Sequence, residues 1–224
     1  MHIPEQLPRE TARDYALRTL KENIISLELA PGAAISENEL ADAMGISRTP
    51  VREALQELAK VRIVEIVPQK RSTVSYIEDA LVEEAQFMRY HLETAVTAEV
   101  CLSHSAEDLS RLKESLALQR YCLESGLYAR LYEQDDAFHR EFYAIAHKPE
   151  VYELMKMLSI HFDRLRFLSA ETQTYPEIVA EHALLLSCVE QKDAPRAVAV
   201  LQAHLSRYKL DAVELREKHP DYFK

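Results

Sequence analysis

Tryptophan is absent from this chain of 224 residues, and glycine and cysteine occur three times each. The scarcity of glycine excludes a glycine-rich phosphate loop. The cysteines, Cys101, Cys122 and Cys188, are far apart and form no CxxC pair. They read as reduced thiols, buried as small hydrophobes in a cytoplasmic protein. No apolar run approaches the length that spans a bilayer. The N-terminal MHIPEQLPRETARDY lacks the apolar stretch behind a basic head that marks a signal peptide. A soluble, cytoplasmic protein with no membrane partner is expected. Apolar residues make up 47% of the chain, ample for a packed core, which excludes a mainly disordered protein.

A positive surplus is also missing: the net charge is −10. Its distribution is uneven. Residues 1–76 carry 10 Lys/Arg and 11 Asp/Glu, whereas residues 77–224 carry 17 and 26. Within residues 46–76, six basic side chains face three acidic ones, a local net of +3. An acidic protein with one basic segment can contact DNA on one face. The overall acidity weighs against a nonspecific architectural binder, which relies on many phosphate contacts.

What is present is mostly helical periodicity, punctuated by the three glycines. Leu17, Leu20, Ile24 and Leu27 are spaced as one face of a helix over residues 11–28. Ser36 with Glu39 forms a capping-box pattern that opens a second helix, closed by Gly45. A third helix starts at Ser47 and buries Val51, Ala54, Leu55 and Leu58. The β-rich runs IVEIV (63–67) and TVSYI (73–77) flank PQKRS and predict a hairpin. Six helical stretches follow, near 79–103, 106–125, 128–147, 149–168, 175–191 and 193–218. Asp79, Ser105 and Asp193 serve as N-caps and Pro149 suits a first turn. The expected fold class is mostly α. A winged helix-turn-helix spans residues 1–77 and an all-helical antiparallel bundle spans 78–224, joined without a flexible linker.

Helix, turn, helix and hairpin wing is a DNA-binding order, with the last helix entering the major groove N-terminus first. In GISRTPVREAL (45–55), Arg48, Thr49 and Arg52 remain on the exposed side near the helix start. Arginine can pair with guanine O6 and N7 through two hydrogen bonds, and Thr49 can meet a phosphate or a thymine methyl. The plainer reading, arginines on a solvated face paired with Glu53 or Glu57, is weakened by the capped helix before them and the basic wing after. The stretch PGAAISENELADAMGISRTPVREALQELAKVRIVEIVPQKRSTVS resembles the winged-helix domain of GntR-family transcription regulators, with SRTPVREAL intact at 47–55. The resemblance implies that Arg48, Thr49, Arg52 and the wing, with Lys70 and Arg71 near its tip, contact DNA. It also implies a homodimer on an inverted-repeat operator. Relatives usually have glycine where Arg62 and Arg71 stand here. Arginine tolerates positive φ poorly, so a different wing turn is expected.

The run DDAFH places Asp135 and His139 four apart, on one helix face. Spacing alone proves little. Asp, Glu and His fill 46 of 224 positions, and about four such pairs arise around nine histidines by chance. His182 and His204, however, lie among apolar residues on two other helices, and a buried histidine needs a partner. A bundle could gather all four as a metal site, or as satisfied core histidines. DxxFH, then EH, then AHL after DAPRA, resembles the FCD effector domain in its shorter, six-helix VanR-type form.

That resemblance implies that Asp135, His139, His182 and His204 hold a divalent transition metal, with zinc first and nickel, manganese or iron as alternatives. It implies that Arg89 faces the pocket and binds the carboxylate of a small organic acid effector. An ion pair with Glu93 is the plainer role for Arg89. His2, His91, His104, His147, His161 and His219 are read as structural or surface residues. The expected function is a metabolite-responsive transcription repressor, not an enzyme. A metal-dependent hydrolase using the Asp/His cluster is the alternative, and no HExxH-like spacing or nucleophile motif supports it.

Overall fold

The computed structural model describes residues 1–67, 71–169 and 175–224. No helix among them is long and apolar enough to cross a membrane. The chain forms two compact units. The first comprises Met1–Val82, Ile160–Phe167 and Leu215–Lys224; the second comprises Glu83–Ser159 and Leu168–Glu214.

The first unit contains α1 (Ala12–Ile25), β1 (Ala34–Ile35), α2 (Glu37–Met44), α3 (Arg48–Lys60), β2 (Val64–Glu65) and β3 (Ser72–Val74). The cap at Ser36 forms as its side chain accepts from the Glu39 N–H, and Gly45 ends α2 in the left-handed region. The four expected α3 residues, Val51, Ala54, Leu55 and Leu58, are buried against Leu20 and Ile24 of α1. Burying each large aliphatic side chain contributes about 1.5–3 kcal/mol, so this apolar stripe fixes which face of α3 is left outside. The hairpin pairs Val64 with Val74 and Glu65 with Thr73, and β1 adds Ala34 and Ile35 to the other edge of β3, giving the order β1-β3-β2. Gly32, just before β1, has φ +78, and a Cβ there would stand 2.8 Å from the Tyr76 hydroxyl.

The wing turn, where a different turn is expected, includes residues 68–70, which lie outside the described residues. Arg62 keeps the left-handed backbone, with φ 60, although it carries a side chain. Its N–H bonds Ala59, and the next residue, Ile63, is fully buried and bonds Leu58. Anchoring on both sides outweighs the roughly 1–2 kcal/mol that a side chain costs in that conformation.

In the second unit, α4 (Asp79–Ser103, from Glu83 on), α5 (Ala106–Glu124), α6 (Tyr128–Ile145), α7 (Pro149–Ser169, outside Ile160–Phe167), α8 (Tyr175–Glu190) and α9 (Ala194–Ser206) surround a core that includes Phe138, Tyr143, Leu112 and Leu131. Helix α5 packs on α6 and α8, and α8 packs on α9. The single helix expected over 193–218 is two, α9 and α10 (Tyr208–Lys218). At the junction, the Arg207 N–H bonds the His204 carbonyl, three residues back rather than four, with no glycine or proline to mark the change. The chain's end rejoins the first unit: Ile77 pairs with Phe223 in a parallel bridge.

Residues Ile160–Phe167 pack into the first unit, where Ile160 joins the apolar core. Arg164 is fully buried and donates to the carbonyls of Ser75 (2.6 Å) and Tyr76 (3.2 Å). The His161 Nε2–H donates to the Val61 carbonyl at 2.7 Å, and its Nδ1 accepts from Arg164 at 3.3 Å. A carbonyl only accepts and a guanidinium only donates, so His161 is the neutral Nε2–H tautomer. Burial pushes its pKa down from 6.5 to about 4. A depressed folded-state pKa contributes stability that is complete above 6.5 and is lost as pH falls towards 4. Between pH 7 and pH 5 the contribution should fall by up to about 2 kcal/mol. Denaturant titrations at both pH values should show this difference in the wild type and a smaller one in His161→Gln. Equal pH dependence in the two proteins would assign the effect elsewhere.

Candidate DNA-binding face and candidate metal centre

The candidate DNA face is the exposed side of α3. Arg48 and Thr49 open the helix and Arg52 lies one turn on; all three are exposed, because Val51, Ala54 and Leu55 take the inner face. The arginines pair with Glu37 of α2, not with Glu53 or Glu57. Glu37 accepts from Arg52 at 2.8–3.1 Å through both carboxylate oxygens, and from Arg48 at 3.5 Å. The hydrogen bond from Arg52 holds the Glu37 carboxyl below the usual carboxylate range despite the opposing effect of burial. Exposed pairs of this kind contribute about 0–1 kcal/mol, less than the roughly 1–3 kcal/mol of a bidentate arginine–guanine contact. Glu37 therefore steadies the arginines without preventing them from turning to a base. Arg71 is exposed and lies 3.8 Å from Glu39. Lys70 is outside the described residues.

The second site lies in the helical unit. Asp135 and His139 come from α6, His182 from α8 and His204 from α9. One potential ligand atom from each lies within 4.8 Å of the others. Asp135, His139 and His182 are buried, and His204 nearly so. Asp135 and His139 share a face because they are one helical turn apart, whereas packing of α6, α8 and α9 supplies the rest.

Each imidazole is held by its Nδ1. His139 Nδ1 lies 2.7 Å from Glu93 Oε2. His182 Nδ1 meets Gln119 Oε1 at 2.7 Å, and His204 Nδ1 meets Glu181 Oε2 at 2.9 Å. Carboxylate and amide oxygens only accept, so all three Nδ1 atoms carry the proton and every Nε2 presents a lone pair. These lone pairs converge: His182 Nε2 is 3.4 Å from His204 Nε2 and 3.6 Å from Asp135 Oδ1. His139 Nε2 is buried and has no hydrogen-bond partner among the described residues. Burial pushes the pKa values of His182 and His204 below 6.5, which keeps both rings neutral at pH 7. Converging bare acceptors are unfavourable in a dry core unless something positive joins them. The donor set fits a divalent transition metal.

Arg89 is buried rather than at the surface, and its Nε donates to Glu93 at 2.6 Å. Beside the cluster, Glu93, Thr97, His139 and Tyr143 line one part of a narrow cavity whose remaining wall is apolar. Glu93, Gln119 and Glu181 are additional site residues that the sequence reading did not identify. The sequence reading had Glu93 only as an ion-pair partner of Arg89, Glu181 could have been noted beside His182, and nothing near Gln119 signals its role.

A winged helix with an exposed basic recognition helix, followed by a helical unit with an internal His/Asp cluster, defines a DNA-binding transcription regulator. The comparisons give the family. Residues 14–74 match the bacterial regulatory proteins of the gntR family, and residues 84–207 match the FCD domain. The chain belongs to the GntR family, whose members are transcription regulators rather than enzymes. It is 34% identical to an HTH-type transcriptional regulator in an unstable DNA locus of Streptomyces ambofaciens, over 96% of this chain and 90% of that one. It is 28% identical to the HTH-type transcriptional repressor RspR of Escherichia coli K12, over 100% and 99% of the two chains. The solved structure of E. coli McbR/YncC shares the fold, with a TM-score of 0.79 at 23% identity, covering 93% of this chain and 99% of that one.

Replacing Arg48 or Arg52 by Ala should abolish specific operator binding while leaving the thermal unfolding midpoint unchanged. Selected-sequence binding assays on the folded variants check this, and wild-type affinity in either would remove α3 as the reading helix.

Proposed function

We propose that this GntR-family protein is a cytoplasmic, homodimeric repressor that reads an inverted-repeat operator and is released from it by a small organic acid bound at a metal. Arg48 and Arg52 contact bases, Thr49 contacts a phosphate or a thymine methyl, and the wing residues Lys70 and Arg71 contact the backbone or minor groove. Asp135, His139, His182 and His204 hold a divalent transition metal. Zinc is the first choice; nickel, manganese and iron suit the same donors. When bound, the metal supplies a positive centre on which an anionic ligand can complete the coordination.

The observation that carries this reading is the common orientation of the three imidazoles. Each has an acceptor oxygen 2.7–2.9 Å from its Nδ1, which leaves three Nε2 lone pairs and one carboxylate gathered within 4.8 Å of one another. Charge supports the class of effector. Asp135 offsets one of the metal's two charges, and the nearby carboxylates Glu93 and Glu181 are already paired with Arg89 and Arg207. One positive charge is left over, which a carboxylate ligand neutralises. Arg89 meets that carboxylate by sharing its guanidinium with Glu93. Effector binding then changes the relative placement of the two DNA-binding units in the dimer, and with it operator affinity.

Elemental mass spectrometry of protein purified without chelator or histidine tag should find about one transition-metal ion per subunit. His182→Ala should lower this content severalfold and abolish release from the operator by small organic acids. No metal in the wild type, even after addition of zinc, nickel or manganese, would leave Asp135 and the histidines as hydrogen-bonding pocket residues and redirect the effector search to ligands that need no metal.

A further inference from the structure

Beyond the four ligand residues, the partners of the imidazoles differ in kind. Glu181 is partly exposed, and both of its partners, His204 and Arg207, come from the end of α9 and the residue just after it. Gln119 is a neutral amide. Glu93 alone is a fully enclosed carboxylate, 3% exposed, and it stands between Arg89 on its own helix and His139 on α6. Its two oxygens are both engaged, Oε1 2.6 Å from the Arg89 Nε and Oε2 2.7 Å from the His139 Nδ1.

We propose that Glu93 is the principal positioning residue of the metal centre: it fixes the tautomer and orientation of His139, and Arg89 in turn fixes Glu93. The inference rests on the metal reading given above. Three observations support it. The Glu93 Oε2 to His139 Nδ1 distance is 2.7 Å, and a carboxylate there requires the proton on Nδ1. The opposite nitrogen, Nε2, is buried and has no hydrogen-bond partner among the described residues, so the orientation of His139 depends on its Nδ1 side. The negative charge also raises the basicity of the ring towards a cation, as carboxylate partners of metal-bound histidines do. This influence is stronger for Glu93 than for Glu181, because charges interact more strongly where water is excluded.

The roles are therefore unequal. Glu93 sets how tightly the metal is held. Arg89 keeps the carboxylate aimed, because its Nε donates to the other oxygen at 2.6 Å. An anion that shares Arg89 loosens that hold, which ties effector binding to the metal through one side chain.

The test is metal affinity, measured on the full-length protein by competition with a chromogenic chelator, using zinc alone. Glu93→Gln keeps an acceptor and the side-chain shape but removes the charge. It should weaken zinc binding about 10–100-fold, the range for loss of such a partner, while Glu181→Gln should cost less than about 10-fold. Cobalt(II) loaded into Glu93→Gln should show an altered visible spectrum, a signature that a merely structural role would not move. Because Glu93→Gln leaves the Arg89 charge buried, the double variant Arg89→Met/Glu93→Gln serves as the folding control. It should unfold thermally like the wild type without metal yet bind zinc as weakly as the single variant. Wild-type zinc affinity and cobalt spectrum in Glu93→Gln, alongside loss of zinc in His139→Ala, would overturn this inference and leave the metal reading standing. A larger loss in Glu181→Gln than in Glu93→Gln would also overturn it. Absence of zinc binding in the wild type would remove the metal reading itself.

Discussion

Protons decide how the helical unit is arranged. A dry interior accepts an imidazole only when the nitrogen that carries its proton has an acceptor, and three imidazoles triple that demand. Here the demand is met from outside the cluster, by Glu93 on α4, Gln119 on α5 and Glu181 on α8. Because all three acceptors take Nδ1, the three Nε2 atoms turn inward together with Asp135. The charged acceptors need cations of their own, which explains why Arg89 is buried beside Glu93 and why Arg207 reaches Glu181. Helices α4, α5, α6, α8 and α9 are therefore connected by one polar network inside an otherwise apolar core.

The DNA-binding unit follows a simpler logic. Its apolar stripe of Leu20, Ile24, Val51, Ala54, Leu55 and Leu58 leaves one side of α3 outside, and that side carries the two arginines. Glu37 restrains them through exposed ion pairs. Beneath the wing, Arg164 and His161 donate to the carbonyls of Ser75, Tyr76 and Val61. The end of α3 and the end of β3 are thereby held by the same short segment, Ile160–Phe167.

Much of this was legible residue by residue. The capping residues Ser36, Ser105 and Asp193 act within three residues of themselves, and each caps as its local pattern indicates. The inner face of α3 is a matter of period, and period survives in the sequence. The bundle helices begin within a residue or two of where their caps place them, except where no punctuation exists. The division at Arg207 is a change from a four-residue to a three-residue hydrogen bond, and no side chain announces it. Strand β1 has two residues, too few to carry an alternation, and exists because β3 offers it an edge. At Arg62 the left-handed backbone carries an intrinsic cost for a residue with a side chain. The neighbouring burial of Ile63 was the larger effect, and only packing reveals it.

The candidate metal cluster divides along the same line. Asp135 and His139 are adjacent through helical geometry alone, so their pairing is determined by the sequence itself, as are the basic start of α3 and the order of helices and wing. Convergence with His182 and His204 spans residues 135 to 204 and is decided by how α6, α8 and α9 pack. The identity of the Nδ1 partners is more distant still from any local pattern, since Glu93 is 46 positions before His139 and Gln119 is 63 before His182. Local spacing determines what neighbours on one helix can do together. Which buried proton meets which acceptor depends on contacts between helices, and those were decided only by the tertiary structure.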